Sequence, residues 1–251
     1  MCIRDRILAE FPFVVDPKKI VLSGRPYIEN YEWKPERGTK VTLFDRRDGS
    51  RVGPFETDAM FSFHHLNAFE REDGSVVIDL QAYGDASLIG DLYLDRLRDA
   101  GGPRVAEPTI ERLIVRPDAA AGRGAIERET LFDPGFELGR INYGRCNERP
   151  YRYAWGLAVN DGWLNEIVRA DLETRELQRW SDPGCYPGEP VFVARPGAEA
   201  EDDGVLLSVV LDASAGHSYL LILDARDLTE LARAEAPHHI PFGFHGQFAR
   251  A

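Results

Sequence analysis

Apolar positions in this chain come in short runs separated by turn-forming residues, the spacing of strands rather than helices. Val41–Phe44 is one run, closed by Arg47-Asp48-Gly49-Ser50. Met60–Phe69 is rich in aromatics and meets Glu72-Asp73-Gly74-Ser75 before Val76–Leu80, which predicts a hairpin about an Asp-Gly turn. Leu131–Tyr143, Tyr151–Val159, Ile167–Leu172, Pro190–Ala194, Gly204–Leu211 and Tyr219–Leu223 read as further strands. Helical spacing is confined to Ser87–Arg98, where Leu88, Leu92, Leu94 and Leu97 line one face, and to a helical turn over Asp227–Arg233. Gly101–Pro103 and Pro196–Gly204 read as surface loops. The class is therefore all-β. No strict repeat is present, so the pattern leaves propeller, sandwich and barrel open.

Composition narrows the function classes. The chain has 251 residues, 43% hydrophobic and 29% charged, enough for a sizeable core, with no low-complexity linker. Its net charge of -12 repels phosphate backbones and excludes nucleic acid as a natural partner. The same charge gives no attraction to anionic membranes and leaves an apolar patch as the route to any peripheral membrane contact. Cys2, Cys146 and Cys185 are odd in number and form no CxxC pair, which argues against a disulfide framework or zinc thiolates and fits a reducing cytoplasm. No segment is long and apolar enough to cross a bilayer as a helix, and none reads as a signal peptide. Residues 1–10 are set apart as a leader of foreign origin, with residues 11–251 as the folded unit.

Six histidines are the candidate chemistry. His64 and His65 are adjacent, so on a strand only one of them can face a given centre. His245 lies between glycines in Gly243-Phe244-His245-Gly246, where the backbone can turn or approach closely. His217, His238 and His239 fall in turns. No local spacing matches a zinc motif such as HExxH, so the residues alone leave each histidine open between metal ligand and hydrogen-bonded imidazole. Glu137 and Glu189, taken alone, read as solvated strand-end carboxylates.

A family resemblance changes this picture. Phe63-His64-His65-Leu66-Asn67-Ala68-Phe69-Glu70, followed by Val77-Ile78-Asp79-Leu80, resembles the FHxxNAxE segment of carotenoid cleavage oxygenases. Phe136-Glu137-Leu138 leading into Ile141-Asn142, then Tyr153-Ala154-Trp155-Gly156, resembles the next block. Tyr186-Pro187-Gly188-Glu189-Pro190-Val191-Phe192-Val193, Glu201-Asp202-Asp203-Gly204, Leu221-Ile222-Leu223-Asp224-Ala225 and Phe244-His245-Gly246 follow in the family order. The family includes carotenoid and apocarotenoid dioxygenases, lignostilbene dioxygenases and the retinoid isomerohydrolase of the eye.

The resemblance implies a seven-bladed β-propeller with Fe(2+) held on its axis by four histidines. It maps His64 and His245 onto two of these ligands. It maps Glu137 and Glu189 onto the glutamates that hold the outer N–H of each ring. It also implies an apolar polyene or stilbene substrate cleaved by O2 across a conjugated C=C bond, with a lignostilbene-type substrate or a non-catalytic binding propeller as the alternatives. His65, His217, His238 and His239 match no ligand position. Asn67 and Glu70 are expected to stabilise the strand and its hairpin, and Leu88–Arg98 to form a short helical cap over the substrate tunnel. In the family the other two histidines and a third glutamate lie upstream. The chain is therefore expected to be an incomplete propeller made of C-terminal blades, and to bind iron poorly and aggregate when isolated.

Overall fold

The computed structural model describes residues 5–99, 101–117, 122–123 and 125–249. Four sheets follow one another along the chain. Sheet 1 holds Asp5–Glu10, Thr39–Asp45, Arg51–Thr57 and, in parallel at its far edge, Gly122–Arg123. Sheet 2 is the antiparallel meander His65–Glu70, Val76–Ala82, Thr109–Val115 and Ile126–Phe132. Sheet 3 is Glu137–Arg140, Tyr153–Asn160, Trp163–Asp171 and Glu176–Trp180. In sheet 4, Cys185–Pro187 and Val191–Ala194 both pair with Gly204–Asp212, which continues into His217–Asp224 and Glu230–Glu235. A separate hairpin pairs Phe13–Val15 with Tyr31–Trp33.

Strand alternation packs each sheet against the next. On Val76–Ala82, the side chains of Val76, Ile78, Leu80 and Ala82 join Val41, Leu43 and Phe55 of sheet 1 in one core. On Tyr153–Asn160, Ala154 and Ala158 pack with Leu66, Ile110 and Phe132 of sheet 2, while Trp155 and Leu157 pack with Leu206, Val210 and Leu221 of sheet 4. Strands buried on both faces read as near-continuous apolar runs, which is why they stood out in the sequence. The three inter-sheet cores order the sheets 1-2-3-4. Trp155 is fully buried, donates its Nε1–H to Ala225 O (2.9 Å) and stacks on Phe192 (4.6 Å between ring centres), tying sheet 3 to sheet 4.

Several expectations are corrected. Asp5–Glu10, set apart as part of a leader, pairs along its whole length with Thr39–Asp45. Residues 1–4 lie outside the described residues. The helix expected over Ser87–Arg98 is two short pieces, Leu88–Asp91 and Leu94–Leu97, because Tyr93 is extended (ψ 141°) between them. Asp227–Arg233 is no helical turn: Leu228 takes a left-handed conformation (φ 60°), its buried side chain anchors the corner, and Glu230–Glu235 runs on as an edge strand. The continuous strand expected over Leu131–Tyr143 breaks at Asp133–Phe136 and ends in a helical turn at Tyr143–Cys146. The strands Arg51–Thr57, Thr109–Val115 and Glu176–Trp180 were not anticipated; the last exposes polar side chains, Glu176, Gln178 and Arg179.

The expected role of Asn67 is also revised. Its amide reaches out of its own hairpin, donates to Cys146 O and Arg149 O (both 3.0 Å) and accepts from Glu148 N–H (3.3 Å). It therefore staples the turn after sheet 3's first strand onto sheet 2.

Candidate metal centre

Residues at the starts of sheets 2, 3 and 4 come together, and the candidate residues are among them. His64 immediately precedes the first strand of sheet 2, Glu137 opens the first strand of sheet 3, and Glu189 lies between the two short strands that open sheet 4. His245 joins them from the C-terminal segment. Residues 73 and 56 positions apart in the chain are thereby brought into contact: His64 with Glu137, and His245 with Glu189.

His64 Nδ1 lies 2.7 Å from Glu137 Oε2, and the carboxylate is almost wholly buried. Glu137 is satisfied on both oxygens: Oε1 accepts from Tyr83 O–H (3.0 Å), and Oε2 also accepts from the N–H of Leu138 (2.9 Å). Burial and the Glu137 charge push the Tyr83 phenol far above its usual range, so it stays a donor. The bond to Glu137 raises the His64 pKa, against the opposing effect of burial; the charges of Glu137 and Glu189 add to the rise.

The second pair repeats the arrangement. His245 Nδ1 lies 3.0 Å from Oε1 of the buried Glu189. Glu189 Oε2 accepts from Gly246 N–H (2.8 Å) and from Arg140 Nη2 (2.7 Å). The backbone around Glu189 is fixed by Gly188, whose N–H donates to Val209 O (2.8 Å) and whose carbonyl accepts from Ser208 Oγ (2.7 Å).

The two imidazoles face one another, with ring centres 5.1 Å apart and planes at 86°. With each Nδ1 committed to a carboxylate, Nε2 is the nitrogen left to each ring for a ligand. Metal–imidazole bonds of roughly 2 Å place the ring centres of two histidines on one ion no more than about 6.5 Å apart. The pair meets that limit, and neutral imidazoles with carboxylates behind them are a donor set that suits a divalent transition metal such as iron. Among the described residues, no third His, Cys, Asp or Glu joins them in a group able to hold an ion. His65 faces a different cleft, with Ile7, Tyr143 and Glu148. His217 is bonded to Glu235 at the surface, away from the pair.

Three contributors were invisible in the sequence. Tyr83 and Arg140 bond the two glutamates. Fully buried Gln81 bridges strands: with its amide turned so that both ends find partners, it donates to His64 O (2.7 Å) and accepts from Gly139 N–H (3.0 Å). The one available signal was polarity out of place. Asp79 and Gln81 interrupt the apolar Val76–Ala82, and a buried polar side chain there must have a partner. Arg140 gave no signal, because its partners lie 49 and 106 residues away.

Comparison with known proteins gives the family. The family described as retinal pigment epithelial membrane protein matches residues 6–250. The chain belongs to this family of carotenoid oxygenases. It is 38% identical over 238 residues to a carotenoid isomerooxygenase of Galleria mellonella, covering 90% of this chain and 46% of that protein. It is 34% identical to the beta,beta-carotene 15,15'-dioxygenase of Mus musculus, covering 96% of this chain and 48% of that protein. The crystal structure of cobalt-substituted Synechocystis ACO superposes with a TM-score of 0.82 at 28% identity, over 98% of this chain and 51% of that one. The chain spans about half the length of the curated relatives it matches.

Proposed function

We propose that the protein acts as a non-haem Fe(II) dioxygenase, cleaving a conjugated C=C bond of a carotenoid or apocarotenoid with O2 to give two carbonyl products. One observation carries this reading: two imidazoles face each other at 5.1 Å, each tied through Nδ1 to its own buried carboxylate. Ferrous iron, when bound, would supply the activation of O2, which no side chain provides. His64 and His245 would hold it through Nε2, while Glu137 and Glu189 fix the tautomer and aim of each ring. Phe63, 42% exposed beside His64, and Phe61 behind it offer an apolar wall along which a polyene would lie and water would be excluded. No protein nucleophile or general base is required.

The remaining two histidines and a third glutamate would come from an upstream half, and the four stacked sheets would be blades of a seven-bladed propeller. That a Synechocystis relative is described as cobalt-substituted supports a site for a divalent transition metal. We place the protein in the cytoplasm with a peripheral lipid contact. That contact is supported by the helix Pro17–Leu22, where Val21 and Leu22 are about four-fifths exposed beside Lys18 and Lys19. Among the described residues, no helix is long and apolar enough to cross a membrane.

The test is product analysis. Whole protein loaded with iron and given an apocarotenoid under isotopically labelled O2 should release two carbonyl products, each carrying label. Absence of cleavage across carotenoids, apocarotenoids and stilbenes by a folded, iron-loaded preparation overturns the reading.

A further inference from the structure

His245 is held in an unusual way. It lies on a segment, 236–249, that has no strand or helix, its side chain is 55% exposed, and the neighbouring Phe244 points largely into solvent. A ligand on such a segment needs something to hold its angle. The apolar anchor is Phe242, which meets Trp163 and Tyr186 at about 6 Å between ring centres. The polar anchor is a closed ring of hydrogen bonds. Arg140 Nη2 donates to Glu189 Oε2 (2.7 Å) and also to Gly246 O. Gly246 N–H donates to the same Glu189 oxygen (2.8 Å), and the other Glu189 oxygen meets His245 Nδ1.

Arg140 itself stands on rigid ground. It is three residues along the strand from Glu137, the partner of His64. The intervening backbone is tightly constrained: Leu138 is left-handed (φ 49°), and a Cβ on Gly139 would collide with the Gln81 amide and with Leu66. The Gln81 amide closes this segment onto His64 O.

We propose that Arg140 is a positioning residue for the second imidazole, so that the single strand Glu137–Arg140 sets both histidines. Glu137 does so directly, and Arg140 does so by locking Glu189 and the turn that carries His245. This rests on the proposed metal function only for its consequence; the positioning can be read without metal. Removing the guanidinium leaves Glu189 free to rotate between Gly246 and the ring, and leaves Gly246 O without its donor. The His245 ring then loses its fixed tautomer and aim, while His64 keeps Glu137 and Tyr83.

The experiment reads the imidazole nitrogens by long-range proton–nitrogen NMR in metal-free whole protein at about pH 9, where free imidazole is neutral. R140A and R140K are measured beside the native protein, with thermal midpoints. The expected result is a single Nδ1–H tautomer for His245 in the native protein, mixed or broadened tautomers in R140A, and an unchanged His64. R140K, which keeps a cation able to donate to both oxygens, should restore most of the native His245 pattern. A native His245 pattern in R140A overturns the proposal, as does equal disturbance of His64. Should R140A not fold, R140M carries the same comparison, since it keeps an apolar stem and offers neither oxygen a donor.

In whole protein, Co(II) affinity should fall about 10- to 100-fold in R140A and be largely recovered in R140K. If native whole protein binds no metal, the dioxygenase reading fails, while the His245 spectrum still decides the role of Arg140.

Discussion

The two imidazoles differ in what orders them. Both carboxylates are nearly inaccessible, but His64 adjoins a strand and its glutamate is bonded by a phenol and a backbone N–H, whereas His245 lies on a segment without strand or helix and its glutamate is bonded by Arg140 and the Gly246 N–H. Glu137→Gln keeps the size and one acceptor but loses the charge that fixes the Nδ1–H tautomer. It is expected to weaken metal binding about 10- to 100-fold with little change in melting temperature, as read by metal titration and calorimetry. Acidity should act through the same contact. The folded pKa of His64 is raised by Glu137, and only the neutral ring can bind an ion, so protons compete up to a higher pH than for free imidazole. Metal affinity should rise with pH and level off only above that raised value. In Glu137→Gln the levelling should come at lower pH.

At this scale the sequence was legible where a motif names residues: His64, His245, Glu137 and Glu189 follow from the family resemblance, and the fold sets each histidine against its glutamate. Gln81, Tyr83 and Arg140 were not legible, because each acts through a partner that only the packed sheets bring near.

At the scale of strands, alternation determines which core each side chain enters. Trp155 and its neighbours Ala154 and Gly156 show how tightly: a Cβ on Gly156 would strike the Phe136 ring and come within 2.7 Å of Glu137 O. The glycine lets the strand that carries Glu137 lie close against its neighbour Tyr153–Asn160, so packing and site geometry are the same constraint. Trp155→Ala should cost about 3–5 kcal/mol of stability, measured by denaturant unfolding. Trp155→Phe should cost less, leaving Ala225 O without its donor.

The buried edge of sheet 3 also sets acid stability. Arg152 bonds both oxygens of Asp171 (2.7–3.0 Å) and holds its carboxyl below the usual range, helped by the N–H groups of Glu173 and Thr174 and opposed by burial. A depressed carboxyl pKa contributes stability above its unfolded value, about 3.9, and loses it as pH falls through the folded value. Arg152→Met should therefore move the acid-unfolding midpoint to higher pH, followed by circular dichroism. Doubly buried strands such as Val76–Ala82 were plain in the sequence because one face, Val76, Ile78, Leu80 and Ala82, is wholly apolar and Val77 extends the run on the other. Edge strands such as Glu176–Trp180 and Glu230–Glu235 were missed or misread because a solvated strand and a polar turn share composition.

Over the whole molecule, four sheets are joined face to face by three cores, and residues at the starts of sheets 2, 3 and 4 come together on one side. The histidines meet there although 181 positions separate them in the chain. All-β character was readable from the runs and turns. The choice of architecture was not, since it depends on which sheet faces pair rather than on any local period; only the resemblance offers one, the propeller proposed above. The chain brings two imidazoles to the centre where the proposed site requires four. Its strength as a metal site should therefore depend on the upstream half proposed above: whole protein should bind Fe(II) far more tightly than these 251 residues alone.

The most direct measurement is iron per chain by elemental analysis of whole protein, native and with His64→Ala or His245→Ala. The account predicts about one iron in the native protein, as one four-histidine site requires, and loss of most of it in either variant while the fold is retained. Iron retained in both variants, or a well-folded native protein that takes up none, would contradict it.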